Sequence, residues 1–208
     1  KIALFTPYQP TMGGGGQHLR GAIPFLKDID VLWYYLAHKE VSFPNSLYLG
    51  APVFGGGLLR SAKTFLELPR PSTHSPKSIA TIVEKLLALD VEAYWIVAHY
   101  EGCAVAEALI RAGKKVHVSV HDDPVALFGR SRRYFWGTTL ALNQLGRILK
   151  SATSADYTSH PMAARYQKLF GVGGVVYFPY VEKLPSYTPP AADGIFRVGY
   201  AGSLYSPA

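Results

Sequence analysis

The chain has 208 residues, of which 49% are hydrophobic and 17% charged; this excludes wholesale disorder and predicts one large domain, or one domain with part of another. The formal net charge of +7 comes without a nucleic-acid-binding signature, so it favours an anionic ligand or an anionic membrane surface over a nucleic acid. The single cysteine, Cys103, excludes an intrachain disulfide and a cysteine-based metal site and fits a reducing compartment, and the absence of an apolar run of about 18 residues predicts no transmembrane helix.

Short apolar runs rich in β-branched and aromatic residues predict strands, and helical periodicity lies between them. The predicted strands are 2–6, 31–36, 93–98, 116–120, 157–159, 175–178 and 196–201, with a short strand or hairpin near 47–54. The predicted helices are 17–28, which Pro24 shortens or kinks, 76–90, 102–113, 132–152 and 161–171. This alternation predicts a Rossmann-like α/β fold, an open and mostly parallel sheet with helices on both faces.

The composition changes near the end of the chain. The segment "EKLPSYTPPAADG" (182–194) is rich in proline, polar and small residues, which is typical of a linker. We therefore expect one domain over 1–181, an interdomain linker over 182–194, and over 195–208 the first strand and loop of a further domain.

Polar residues follow several of the predicted strands directly. In an open parallel sheet, ligands bind beyond the carboxyl ends of the strands. Four loops should meet at that edge of the sheet, namely 7–16, 99–102, 121–123 and 159–160.

Four consecutive glycines, 13–16, separate the first predicted strand from the first predicted helix. Their spacing fits neither G-x-G-x-x-G nor the phosphate-binding P-loop, which argues against a dinucleotide or ATP site. Exposed backbone N–H groups at a helix N-terminus nevertheless attract anions. An anion-binding turn and a mobile surface loop are the two interpretations that remain.

Histidines end two of the predicted strands. His121 follows "VHVSV" and precedes "DDP"; it could donate to a phosphate or sugar hydroxyl, act as an acid or base, or merely satisfy loop carbonyls. His99 has the analogous position on another strand, where a structural role is favoured. His117 lies about 13 Å along the strand from His121, so the two cannot share one metal ion.

Two further features favour ordinary structural roles. Cys103 lies at an alanine-rich helix start, where packing is expected. The segment "GRSRRYFW" (129–136) could meet an acidic acceptor or lipid headgroups, but a solvated helix start is favoured.

Four segments in chain order resemble the retaining glycosyltransferases of the GT-B fold, in the large nucleotide-sugar family 4 of mannosyl- and glucosyltransferases. They are "KIALFTPYQPTMGGGGQHLRGAIPFL", "KKVHVSVHDDP", "ADYTSHPMAARYQKLFG" followed by "VVYFPYVE", and "FRVGYAGSLYSPA". The resemblance covers the chain from end to end, and the order of the motifs carries it. It implies two Rossmann-like domains, an acceptor-binding N-terminal one and a donor-binding C-terminal one, with the active site in the cleft between them.

The resemblance also implies a reaction. A sugar passes from a nucleotide-diphosphate sugar to the hydroxyl of a glycan, lipid-linked or small-molecule acceptor, with retention and without a cofactor or catalytic metal. His121 would face the transferred sugar as the catalytic residue. The donor phosphates would lie near Gly14, Gly15, Gly16, Gly202 and Ser203, and the acceptor near His99, Asp122 and Arg132.

In this family the residues that grip the diphosphate and ribose belong to the C-terminal domain, so we expect the 208 residues alone to transfer no sugar. Three alternatives remain: another GT-B enzyme such as a sugar-nucleotide epimerase or phosphorylase, a stand-alone glycan- or phosphate-binding module, and a membrane-surface partner acting through 129–136. We expect a cytoplasmic location, at the inner face of the membrane if 129–136 contacts lipid, and no nucleic-acid partner.

Overall fold

A computed structural model describes residues 1–11, 13–51, 76–99, 101–123 and 135–177. Its strands are β1 (Ile2–Thr6), β2 (Val31–Leu36), β3 (Ser46–Gly50), β4 (Ala93–Val97), β5 (Val116–Val120), β6 (Ser154–Tyr157) and β7 (Val175–Val176). Its helices are α1 (Gly13–Ala22), α2 (Pro76–Leu87), α3 (Glu101–Arg111), α4 (Phe135–Ser151) and α5 (His160–Phe170), and a 3-10 turn (Ile23–Phe25) follows α1.

The described strands form one seven-stranded sheet in the order β3-β2-β1-β4-β5-β6-β7, and every neighbouring pair is parallel. The chain therefore builds outward from β1 on one side and then from β4 on the other. The predicted open parallel sheet is confirmed. Because the strand order reverses between β1 and β4, a crevice is expected beyond their carboxyl ends, where such sheets bind ligands.

Alternate residues of each strand face opposite sides of the sheet, and each side has its own core. Leu4, Trp33 and Trp95 pack with Leu19 of α1 on one side. The larger core on the other side joins the strands to buried residues of α2, α3, α4 and α5, which are Ile82, Leu86, Val105, Ala106, Leu109, Leu145, Ile148, Leu149 and Tyr166. The prediction of helices on both faces is confirmed.

The start of α1 differs from the prediction. The helix begins at Gly13, so the glycines form its first turn and are not a loop in front of it. It ends at Ala22, before the predicted end at residue 28, because Pro24 supplies no N–H for a continuing helix. The chain continues as the 3-10 turn with a proline in its first positions.

The strand predicted at 157–159 is wrong in position, since β6 runs from Ser154 to Tyr157. Ser154 and Asp156, which alternate with Ala155 and Tyr157 along β6, are polar, so the segment lacks the apolar pattern that predicts a strand. Ser159 instead caps α5 by accepting a hydrogen bond from the backbone N–H of Met162. The linker predicted at 182–194 and the strand predicted at 196–201 lie outside the described residues.

Candidate functional site

The loops that follow β1, β4, β5 and β6 meet at the carboxyl edge of the sheet. The Tyr8 hydroxyl, after β1, lies 3.1 Å from Nδ1 of His121, after β5. His99, after β4, places Nδ1 3.7 Å from a carboxylate oxygen of Asp122. Thr158, after β6, donates from its hydroxyl to the His121 carbonyl at 3.1 Å. These contacts confirm that the predicted loops share one edge, and they fix His121 at its centre.

The first turn of α1 packs closely against the loop after β1. A Cβ atom on Gly15 would lie 2.5 Å from the Tyr8 hydroxyl oxygen, and one on Gly16 would overlap the Pro10 carbonyl oxygen. Gly14, by contrast, is exposed and has open space around its Cβ position. Two of these glycines are thus needed for close packing, and the turn as a whole presents helix N-terminal N–H groups, which favour anions.

His18, in the second turn of α1, is a site residue that the sequence analysis missed. It is only 3% exposed, and its ring lies edge-on to His121, with the centroids 4.9 Å apart. The Tyr177 ring also lies edge-on to His18, with the centroids 4.3 Å apart. Among the described residues, neither His18 Nε2 nor His121 Nε2 has a hydrogen-bond partner, although both atoms are buried. The site therefore holds two buried ring nitrogens that a ligand could satisfy.

The site's histidines are held neutral. Burial is the largest cause that lowers the pKa of His121 to about 4; His18 and His99 act in the same direction, and Asp156 opposes them. Burial also lowers the pKa of His18 and of His99, against the opposing charges of Asp156 and Asp122 respectively. A neutral imidazole offers one N–H donor and one acceptor nitrogen, so at pH 7 these rings can offer hydrogen bonds but no imidazolium charge.

Tyr8 is also held in its neutral form. Burial, and then the charge of Asp122, raises the pKa of its hydroxyl. The phenol therefore keeps its proton throughout the physiological range and remains a hydrogen-bond donor.

A chain of hydrogen-bonded polar side chains, most of them buried, lies behind the site, on the face of the sheet that α1 covers. Trp95 Nε1 donates to the Ser119 hydroxyl at 2.6 Å, and that hydroxyl donates to Oδ2 of Asp156 at 2.6 Å. His117 Nε2 lies 2.7 Å from the same oxygen. The other oxygen, Asp156 Oδ1, is buried without a partner among the described residues. His117 is thus bound into the sheet, and the Asp156 charge acts on His18 and His121.

Of the other predicted residues, the structure describes Cys103 and Asp122 but not Arg132, Gly202 or Ser203. Cys103 is half-buried against the larger core, and burial raises its thiol pKa to about 12, which fits the predicted packing role. Asp122 is exposed at the edge. Arg132, Gly202 and Ser203 lie outside the described residues, as do 129–134 of the basic segment.

Two kinds of feature are absent from the described ranges. Outside the gaps at 12, 52–75, 100, 124–134 and 178–208, no group of three or more histidine, cysteine, aspartate or glutamate residues could hold a metal ion. In the same ranges, no helix has both the length and the apolar character needed to cross a bilayer.

No protein-family model and no curated protein matches the sequence. Among solved structures, a UDP-glucosyltransferase from Polygonum tinctorium capable of glucosylating indoxyl, in complex with 3,4-dichloroaniline, is similar at 9% identity with a TM-score of 0.48, over 91% of this chain and 55% of that one. Apo UGT2 of Phytolacca americana is similar at 10% identity with a TM-score of 0.45, over 85% of this chain and 51% of that one. The chain spans about half the length of these structures. Because both TM-scores are below 0.5, the likeness alone assigns neither a reaction nor a substrate.

Proposed function

We propose that the chain is the acceptor-side part of a glycosyltransferase that moves a sugar from a nucleotide-diphosphate donor to an acceptor hydroxyl, with retention at the anomeric carbon. The single observation that carries the proposal is that Tyr8, after β1, contacts both His121, after β5, and the glycine turn of α1 at the carboxyl edge of the sheet. The ordered sequence motifs supply the reaction class. Epimerase, phosphorylase and binding-module alternatives gain no specific support from this arrangement.

In this proposal, catalysis depends on positioning and on stabilising the departing diphosphate. The N–H groups of the first turn of α1, at Gly14, Gly15 and Gly16, face the phosphate oxygens. His121 contacts the transferred sugar by a hydrogen bond from its neutral ring. Gly202 and Ser203 are assigned to the donor phosphates from the sequence resemblance alone.

The acceptor hydroxyl is assigned to the edge formed by His99 and Asp122. Asp122 is exposed, so its carboxylate can accept a hydrogen bond from an incoming hydroxyl. Arg132 is assigned to the same acceptor by the resemblance. A cytoplasmic location, independence from cofactors and catalytic metals, and inactivity of the 208 residues alone stay predictions.

The test measures sugar transfer by the full-length protein with a panel of nucleotide-diphosphate sugars and acceptors. His121→Ala is expected to lower turnover by well over about tenfold, as the loss of a residue that contacts the reacting sugar does. His38→Ala is the control, because His38 is an exposed histidine just after β2 and has no assigned role. Turnover of His121→Ala near the wild-type value would remove His121 from the reaction. Inversion at the anomeric carbon of the product, read by NMR, would contradict the retaining mechanism.

A further inference from the structure

Tyr8 and His121 are joined across a strand. Tyr8 follows β1 and His121 follows β5, and β4 lies between those two strands. Their contact, 3.1 Å from the Tyr8 hydroxyl to His121 Nδ1, therefore spans the carboxyl end of β4. It is the only hydrogen bond that the described residues give to the His121 ring, since Nε2 is buried without one.

The hydrogen bonds available to the two rings favour one tautomer of His121. If Nδ1–H donated to Tyr8, the phenolic proton would have no acceptor among the described residues, and Nε2 would be a buried acceptor without a donor. If Tyr8 donates to Nδ1, the phenolic proton is used and only Nε2–H awaits a partner. Leaving a buried polar group unsatisfied is costly, so the second arrangement is the more stable one.

The packing of α1 holds Tyr8 in this place. The missing Cβ of Gly15 leaves room for the phenol, since a Cβ there would lie 2.5 Å from its oxygen and 2.7 Å from its Cζ. Gly14, one residue earlier, meets nothing within 4 Å and supplies a matched control. Gly15 thus has a specific role in positioning Tyr8.

We propose that Tyr8 is a positioning residue that fixes His121 as the Nε2–H tautomer, so that His121 presents an N–H donor to an acceptor oxygen of the ligand. The second half of this statement rests on the proposed function. It restricts the ligand group facing Nε2 to an oxygen that can accept, such as a sugar hydroxyl, ring or phosphate oxygen. It also excludes Nε2 as a general base, because that nitrogen already carries the proton.

The tautomer is measured by nitrogen–proton NMR of the 208-residue chain labelled with ¹⁵N-histidine, and His121→Asn identifies the His121 signals by their loss. We expect wild type to show a single form protonated on Nε2. Tyr8→Phe retains the aromatic ring and is expected to add signals of the Nδ1–H form. Gly15→Ala, which displaces the phenol, should do the same, whereas Gly14→Ala should match wild type.

A wild-type His121 protonated on Nδ1 would overturn the proposal, as would a Tyr8→Phe spectrum identical to wild type. The wild-type spectrum alone can overturn it, even if a variant fails to fold. No ligand is present in this measurement, so failure of the proposed sugar transfer would leave it unaffected.

The donor role of Nε2 is tested in the full-length protein with two amide substitutions. Glutamine places its amide near the former Nε2, and asparagine places its amide near the former Nδ1. His121→Gln is therefore expected to retain severalfold more turnover than His121→Asn. Equal turnover in the two variants, or a higher turnover in His121→Asn, would overturn the donor assignment.

Discussion

Asp156 is the residue on which the buried polar side chains of the sheet converge. It accepts from Ser119 and contacts His117, and it is only 7% exposed. Asp156→Ala is expected to lower the free energy of unfolding by about 3 kcal/mol, because a buried hydroxyl and an imidazole each lose their partner. Urea denaturation measures this change. Glu84→Ala, at an exposed position of α2, is the control. A loss for Asp156→Ala no larger than that of the control would show that the network adds no stability.

The sequence alone identifies only some of the individual residues that form the site. His121 was recognisable because it ends an apolar run, a pattern that a single sequence displays. His18 was not, because its burial against His121 depends on where α1 begins. Tyr8 and Asp156 were missed for a similar reason: their partners are 113 and 37 residues away along the chain. Long-range partners of this kind follow from the sheet order and not from local spacing.

The glycines in the first turn of helix α1 should differ from one another in how substitution by alanine changes stability. Gly14→Ala is expected to raise the free energy of unfolding by about 0.5 kcal/mol, because alanine has less backbone freedom to lose and meets no neighbour. Gly16→Ala is expected to lower it by about 2 kcal/mol, because the new Cβ would overlap the Pro10 carbonyl oxygen. Thermal and urea denaturation of the two variants measure the difference. Equal effects would show that α1 can shift away from Pro10 without cost.

The N-terminus of helix α5 is capped by a serine. The Ser159 side chain accepts from the Met162 N–H at 3.3 Å, and its extended backbone is that of a helix N-cap. Ser159→Ala should lower the free energy of unfolding by about 1 kcal/mol, whereas Ser159→Asp should retain it. Urea denaturation of the three proteins measures this. Equal loss in both variants would show that the hydroxyl is not acting as the cap.

Strands were predictable where apolar residues fill at least one face of the strand without interruption. β1, β2 and β5 have the predicted bounds: β1 and β2 are nearly continuous apolar or aromatic runs, and the alternating valines of β5 indicate a strand. β6 was misplaced because its polar Asp156 is satisfied by partners on β5 that its own sequence does not reveal. The start of α1 was misplaced because glycines are poor helix formers, and here packing against Tyr8 and Pro10 outweighs that propensity.

Three histidines whose pKa values are lowered by burial lie together at the carboxyl edge of the sheet: His18, His99 and His121. The proposed ligand-binding edge therefore coincides with a cluster of histidines that is sensitive to acid. The alternation of strands and helices was enough to predict the edge. The burial of its histidines depends on the packing of α1 and was not predictable from the sequence.

This cluster predicts how stability depends on pH. Unfolded His121 binds a proton below about pH 6.5, whereas the folded ring does so only near pH 4. In between, unfolding takes up a proton, so the free energy of unfolding falls as the pH falls. His121 alone contributes up to about 1.4 kcal/mol per pH unit, or about 3 kcal/mol over the window. His18 and His99, whose pKa values are also lowered, add to the same trend.

Urea denaturation between pH 7.5 and pH 5 measures the slope. His121→Gln should reduce it by up to about 1.4 kcal/mol per pH unit, because glutamine takes up no proton on unfolding. His38→Gln, at an exposed histidine just after β2, is the matched control. Glu107 does not affect the slope in this window. Gln144 and two arginines lower the pKa of its carboxyl against the effect of burial, so its contribution to stability is lost only below about pH 4.5. A His121→Gln slope equal to that of wild type would show that His121 is protonated in the folded chain as readily as in the unfolded one, and would contradict its burial at the edge of the sheet.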